Sequence, residues 1–148
     1  MDVALELPFA DGAYRFDLKL PQLFELQEKT GKGVFAIYAE IMAGRGFVGA
    51  EPVGNPFEAI ADIRCIRETI RLGLIGGNSG MVDGEEIEVG PNLARTLVER
   101  YIDPRPLTEA WDIATAILHA RIVGFEPKKK AQTESGESEL TGSSGPPS

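Results

Sequence analysis

The chain has 148 residues, a formal net charge of −8 and a single cysteine, Cys65. A negative surface is repelled by a phosphate backbone, so the charge argues against nucleic-acid binding. One cysteine excludes an internal disulfide. The N-terminus lacks the basic and apolar regions of a signal peptide, and no apolar run reaches the ~18 residues of a membrane span. We therefore expect a soluble, cytoplasmic protein with no nucleic-acid or membrane partner.

Alternating apolar residues predict an N-terminal β-hairpin over residues 3–18. Residues 3–7 and 14–18 each have the period of a half-buried strand. Between them, Asp11-Gly12 is a turn signal, because glycine tolerates a positive φ. An isolated hairpin is marginally stable in water, so we expect it to pack on the rest of the domain.

Helical periodicity predicts a mainly α-helical body over residues 21–124. Pro21 suits the first position of a short helix that ends near Gly31. A second helix is predicted over residues 34–42, where apolar side chains recur at the spacing of a core-facing stripe. Glycines and a proline dominate residues 44–54, so this stretch is predicted to be a loop.

The longest predicted helix begins at Asn55-Pro56, which combines a capping side chain with a proline at the first helical position. It is expected to run to about Leu74, with Ala59, Ile63 and Ile66 on its inner face. Gly76-Gly77 is expected to stop it, because glycine readily adopts the left-handed conformation that caps helices.

Residues 78–90 leave two alternatives open. Asp83-Gly84 is a turn signal, and residues 85–89 form either a short strand or an acidic loop. Two further helices are then predicted, one starting at Pro91 and one spanning about 107–122.

The composition becomes polar from Glu126 onward, and such a segment cannot bury enough surface to offset its ordering entropy. We therefore expect residues 126–148 to be a disordered tail and residues 1–125 to be a single globular domain. The expected fold class is α+β, with an N-terminal β-hairpin packed on a mainly helical body of about five helices.

The sequence offers no convincing catalytic or metal-binding set. His119 has no neighbouring nucleophile, and Cys65 falls inside a helix, where a packed small hydrophobe is expected. One histidine and one cysteine cannot supply the usual zinc ligands. The acidic residues at 83–88 lack the spacing of an EF-hand, and the glycines at 73–80 lack the lysine of a P-loop. We expect no catalytic residue, no cofactor and no metal.

Aromatic and aliphatic side chains at helical spacing are most often core residues, but an exposed apolar groove would mark a site for a protein partner. We predict that such a partner site draws on six residues: Tyr38, Ile70, Leu74, Leu97, Tyr101 and Trp111.

Several short motifs resemble, in their order along the chain, the gene-transfer-agent family of phage tail proteins. The resemblance covers roughly residues 3–124. The motifs that carry it are Leu23-Phe24-Glu25-Leu26-Gln27-Glu28, Arg71-Leu72-Gly73-Leu74-Ile75-Gly76-Gly77, Leu97-Val98-Glu99, Tyr101-Ile102-Asp103, Arg105-Pro106-Leu107 and Ala116-Ile117-Leu118.

The resemblance implies a tail assembly chaperone, which would bind the tape measure protein and keep it soluble during tail morphogenesis. The alternative is a structural minor tail or tail tube component that is retained in the particle. Either function implies other tail proteins as partners, and a chaperone that coats a long client would also self-associate. The implied location is the bacterial cytoplasm, or the virion tail for a structural component. A small enzyme and a nucleic-acid-binding regulator are the disfavoured classes.

Overall fold

The computed structural model describes residues 1–48 and 51–126. The predicted disordered tail therefore lies outside the described residues except for Glu126, and the domain boundary at residue 125 remains a prediction. The elements in chain order are β1 (Leu5–Phe9), β2 (Gly12–Phe16), α1 (Leu20–Thr30), α2 (Val34–Met42), β3 (Arg45–Val48), β4 (Glu51–Gly54), a 3-10 turn (Pro56–Glu58), α3 (Ile63–Gly77), β5 (Gly80–Val82), β6 (Glu85–Ile87), α4 (Pro91–Tyr101) and α5 (Leu107–Val123).

The α+β fold class is confirmed, and the N-terminal hairpin extends into a larger sheet. Strands β1 and β2 pair antiparallel, with Phe9 opposite Gly12, so the turn falls at Ala10-Asp11 rather than at the predicted Asp11-Gly12. Strand β2 also pairs with β5, and β5 with β6, which gives a four-stranded antiparallel sheet in the order β1-β2-β5-β6. Residues 85–87 are therefore a strand, which decides between the two alternatives for this segment.

The predicted loop over residues 44–54 is wrong, because most of it forms a second hairpin. Strands β3 and β4 pair antiparallel, with Arg45 opposite Gly54, and they are not hydrogen-bonded to the main sheet. At the open end of the β3–β4 hairpin, the Asn55 N–H donates a hydrogen bond to the Gly44 carbonyl at 2.8 Å. Gly44 has a φ of 85°, which a residue with a side chain rarely adopts.

The long helix predicted from Asn55 is interrupted. The Asn55 side chain does accept a hydrogen bond from the Phe57 N–H, but it caps only the short 3-10 turn. Helix α3 begins at Ile63, where the Asp62 carboxylate accepts from the Arg64 N–H. The Asp62 N–H donates to Glu40 on α2 at 2.7 Å, so a contact from a distant element holds the chain outside a helical path.

The prediction that Gly76 and Gly77 stop α3 is wrong, because both lie within its last turn. Asn78 ends the helix instead, in the left-handed conformation with a φ of 49°. A Cβ on Gly76 would lie 1.8 Å from the Asp17 carbonyl oxygen, and one on Gly77 would lie 1.9 Å from that of Arg15. The two glycines therefore allow α3 to touch the backbone of β2 and of the residue that follows it.

Helix α3 lies at the centre of the domain, in contact with β2, α1, α4 and α5. Its Ile70, Leu72 and Leu74 side chains are fully buried, together with Ile117 and Leu118 of α5. The predicted helices over 34–42, from Pro91 and over 107–122 are confirmed as α2, α4 and α5. Among the described helices, none has the length and apolar character that crossing a membrane requires.

Replacing Gly76 with alanine tests the close approach of α3 to β2. We expect Gly76→Ala to lower the free energy of unfolding by about 3 kcal/mol, because the new methyl group collides with a backbone oxygen rather than with a movable side chain. Gly46→Ala is the matched control, since a Cβ at Gly46 meets no atom within 4 Å. Urea denaturation measures both variants, and equal stabilities would contradict the close approach.

Candidate interaction surface

Four of the six predicted partner-binding residues lie in the core. Ile70 and Leu74 are fully buried, and Leu97 and Trp111 are 3% and 4% exposed. Only Tyr38 and Tyr101 are half-buried at the surface. A partner that docks on the folded chain can reach only these two residues of the set, and their role in partner binding remains a prediction.

The two tyrosines belong to different clusters. The Tyr38 hydroxyl is 2.8 Å from Nδ1 of His119, so α2 and α5 are joined by a hydrogen bond between side chains. Tyr101 packs edge-on against Phe9 and lines a cavity of about 340 Å³ between the β1–β2 turn, the end of α4 and α5. The predicted residues therefore do not converge on one site.

A different set of side chains forms an exposed apolar surface, which we define as Phe57, Ile60, Ile63 and Leu107. These four side chains are 97%, 70%, 45% and 62% exposed, respectively. Ile63 and Leu107 line a cleft of about 170 Å³ between residues 56–63, the start of α3 and the start of α5. Phe57 and Ile60 do not line it but lie beside its lining residues Pro56, Ala59 and Ala61 in the sequence. The lining of the cleft is almost wholly apolar: Pro56, Ala59, Ala61, Ile63, Ile66, Leu107, Thr108 and Trp111.

Trp111 joins this cleft to the β3–β4 hairpin. Its indole N–H donates to the Ile41 carbonyl at 2.8 Å, and its ring lies under the Arg45 guanidinium at 4.5 Å. Arg45 also donates to Asp112 at 2.9 Å. A Cβ on Gly54 would lie 2.4 Å from the indole, so the hairpin base needs a glycine there. One buried aromatic side chain thus anchors the hairpin and forms part of the cleft.

Residues 56–62 are held in place by a small cluster of charges. Lys32 donates to Glu40 at 2.8 Å and lies 3.5 Å from Asp62. Glu40 in turn accepts from the Asp62 N–H. The Asp62 carboxylate also pairs with the Arg64 side chain at 2.9 Å. The segment that presents Phe57 and Ile60 is therefore fixed at both ends, by the Asn55 cap and by this cluster.

The pKa values of the two carboxylates show that both are charged in the folded chain. Burial works to raise the pKa of Glu40, but hydrogen bonds from Lys32 and the Asp62 N–H outweigh it and lower the pKa overall. The hydrogen bond from the Arg64 side chain, aided by the Arg64 N–H, holds the pKa of Asp62 well below its usual range. Both negative charges are thus available to Lys32 and Arg64.

The remaining candidates of the sequence take structural positions. Burial raises the pKa of the Cys65 thiol to about 11, so the thiol stays protonated at neutral pH. The acidic residues of 83–88 lie on and around the edge strand β6. Within the described ranges, no three His, Cys, Asp or Glu side chains are placed to hold a metal ion. The most distinctive feature of the described surface is the group of exposed apolar side chains around residues 57–63 and Leu107.

The position of Phe57 in the sequence was a signal for the apolar surface, but the predicted helix from Asn55 did not use it. In a continuous helix with Ala59, Ile63 and Ile66 inward, Phe57 would lie on the opposite, solvent-facing side. A phenylalanine on the outer face of a predicted surface helix is a reason to look for a partner. Trp111 is predicted as a partner-site residue, whereas its ring is buried and forms part of the cleft.

The charge cluster predicts a loss of stability in acid. A group whose pKa is lowered by folding stabilises the fold above its unfolded pKa, and this contribution disappears as the pH falls through the folded pKa. We therefore expect the thermal midpoint to fall as the pH drops below about 4.5, near the unfolded pKa values of Asp and Glu. Asp62→Asn should keep the helix cap, because Asn caps as well as Asp. The variant protein should be less stable at pH 7, and its thermal midpoint should depend less on pH than that of the unchanged chain.

Thermal unfolding followed by circular dichroism between neutral and acidic pH measures this effect. Glu85→Gln on the exposed strand β6 controls for the change in net charge, and its profile should stay parallel to that of the unchanged chain. If Asp62→Asn followed the same pH profile as Glu85→Gln, the Asp62 carboxylate would have no part in holding the segment.

Comparison with known proteins identifies the family. A family model described as phage tail tube protein, GTA-gp10, matches residues 2–124. The match covers the four-stranded sheet, the helices α1 to α5 and the apolar surface. None of the curated proteins and none of the solved structures matches the chain. Tail proteins work in association with other tail proteins, and the resemblance noted from the sequence is confirmed. The chain belongs to this gene-transfer-agent and phage tail protein family.

Proposed function

We propose that the chain is a structural subunit of the tail, retained in the finished particle, and that it contacts other tail proteins through the apolar surface. The description of the family as a tail tube protein supports retention in the particle. The observation that carries the proposed contact is the exposure of Phe57, Ile60 and Leu107, together with the apolar cleft that Leu107 lines. Contiguous apolar surfaces of this kind mark sites of protein association.

Burial of the exposed apolar side chains would favour a bound state. Fully burying an apolar side chain contributes about 1.5–3 kcal/mol relative to leaving it exposed. Residues 56–62 are already ordered by the Asn55 cap and by the Glu40 contact, so binding would cost little conformational entropy in this segment. A partner that covers Phe57 and Ile60 would therefore retain most of the gain from burial.

A second candidate function, the tail assembly chaperone, is supported by the shape of the cleft. The cleft runs between the starts of helices α3 and α5, and a groove between helices suits a partner helix that inserts an apolar side chain. The net charge of −8 would keep such a chaperone soluble when its apolar surface is occupied. The client would be the tape measure protein.

Both candidate functions are non-catalytic. The Cys65 thiol is buried and its raised pKa keeps it protonated, so it is poorly suited to act as a nucleophile. Nδ1 of His119 is hydrogen-bonded to the Tyr38 hydroxyl. We propose binding without chemistry, by a chain made in the bacterial host cell and carried into the tail.

Quantitative mass spectrometry of purified particles tests the proposed function directly. A structural subunit should be present at a fixed number of copies relative to the other tail proteins and should stay with the tail after washing in high salt. Absence, or a trace amount that washing removes, would overturn the structural function and leave the chaperone.

Co-expression with the tape measure protein tests the chaperone separately. A structural subunit should leave the solubility of that protein unchanged. A chaperone should make it soluble and elute with it, and Phe57→Asp should abolish the effect, whereas Phe24→Asp on α1, at a side chain that is 63% exposed, should not.

A further inference from the structure

We propose that strand β3 is a docking site for an extended segment of another tail protein. The segment would add a third strand to the β3–β4 hairpin and place an uncharged apolar side chain in a cleft beside β3. This inference goes beyond the proposed function, because the recognition is by the main chain and because, among the described residues, this cleft shares none of its lining with the cleft of the apolar surface.

The register of the hairpin directs main-chain groups of β3 away from β4. The Gly44 carbonyl accepts from the Asn55 N–H, and hydrogen-bonded pairs alternate along an antiparallel ladder. Every second residue after Gly44 is therefore bonded to β4, whereas Arg45 and Phe47 direct their N–H and C=O groups outward. Pro52, opposite Phe47, agrees with this pattern, because proline has no N–H to give to the ladder.

The outer edge of β3 lacks the protection that the other edges of the described sheets have. Proline, short strands and charged side chains are the usual protections of an edge against a further strand. The same alternation directs Pro8 outward in β1 and Pro52 outward in β4. Strand β6 has only three residues, two of them glutamates. The charged side chain of β3, Arg45, is 6% exposed and lies on Trp111 instead.

A cleft of about 300 Å³ lies beside β3. Its lining is mainly apolar and comes from the end of α2, from β3 and from α5: Met42, Arg45, Gly46, Asp112, Thr115, Ala116 and His119. No described residue of β4 lines it, so the cleft lies on the outer side of β3. The hairpin rests on α5 through Arg45 and Trp111. A strand added beside β3 would therefore turn every second side chain toward α5 and the cleft.

These features define the chemistry of the occupant. An extended main chain presents donors and acceptors that match those of Arg45 and Phe47, whereas a helix uses its own within the helix. Arg45 is already paired with Asp112 at 2.9 Å, so the cleft suits an uncharged apolar side chain. A third strand would also stabilise a hairpin that, as two strands alone, is marginal in water.

A second copy of the chain fits this edge less well than a single segment does. Antiparallel pairing of two copies through β3 follows a two-fold axis perpendicular to the joined sheet. Both α5 helices would then lie on the same face, each beside the β3 edge that the other copy needs. An extended segment of another tail protein brings no such helix.

Fluorescence anisotropy tests the site, with overlapping labelled peptides from the other tail proteins titrated with the full chain. We expect a peptide with alternating apolar residues to bind. Phe47→Pro should weaken its binding roughly 10-fold, because the outward N–H is lost. Phe47→Ala keeps the N–H and should retain most of the binding. Ala116→Phe, which fills the cleft, should also weaken binding, and Phe57→Asp should leave it unchanged.

Amide hydrogen exchange measured by NMR identifies the docking edge. The amides of Arg45 and Phe47 should exchange quickly in the full chain and become protected when the peptide is added. Circular dichroism verifies that each variant folds, and Ala116→Phe replaces Phe47→Pro if the latter does not fold.

Several outcomes would overturn strand docking. These are the absence of any binding peptide, equal losses in the two Phe47 variants, and protection of the Arg45 and Phe47 amides without peptide, which would show that the chain covers its own edge. Loss of binding in Phe57→Asp alone would assign the peptide to the apolar surface, overturning this site and supporting the proposed contact. A chain that binds the peptide through β3 but is absent from particles would overturn only the structural tail function.

Discussion

The contact between helix α3 and strand β2 determines the positions of the other elements. The Gly73 carbonyl accepts a hydrogen bond from the Asp17 N–H at 3.0 Å, and Gly76 and Gly77 bring the helix backbone against the carbonyls of Asp17 and Arg15. A helix that carried side chains at these two positions would have to stand away from the sheet. Because α1, α4 and α5 all pack on α3, a displacement of α3 would open the core around Ile70 and Leu74.

The apolar surface depends on the same helix at its other end. Helix α3 begins at Ile63, and its capping residue Asp62 is bonded to Glu40 and lies 3.5 Å from Lys32. The residues before Asp62 lead back to the β3–β4 hairpin. Trp111 of α5 lies beneath both parts, with the Arg45 guanidinium over its ring. The exposed side chains therefore rest on an ordered support, which is what an interface needs if binding is not to be opposed by the cost of ordering a loop.

Local sequence patterns predicted the elements that are stabilised by residues close in sequence. They failed for elements whose bounds depend on a contact with a residue far away in the sequence. The α2 helix has the predicted bounds, because its stripe of apolar residues is continuous from Val34. The break before α3 depends on Glu40, which precedes Asp62 by 22 residues. No sequence pattern near Asp62 predicts this break. The sequence Gly76-Gly77 is typical of a helix end, but here the two glycines allow the helix to approach the backbone of Arg15 and Asp17.

The candidate site was predictable only in part for the same reason. The family and the expectation of a protein partner followed from motifs and apolar spacing, but four of the six chosen side chains are those that the core uses. Apolar periodicity selects inward-facing residues, whereas an interface uses apolar residues that break the period. Phe57 and Ile60 break the period, and they precede helix α3, which begins at Ile63.

We propose that the chain acts in tail formation through the apolar surface. The most direct measurement is the yield of complete tailed particles from cells in which the native gene is replaced by the Ile60→Asp or the Phe24→Asp variant, counted by electron microscopy at equal levels of folded protein. We expect Ile60→Asp to reduce complete tails strongly and Phe24→Asp to leave them near the normal number. Normal yields from Ile60→Asp would contradict the assignment of this surface.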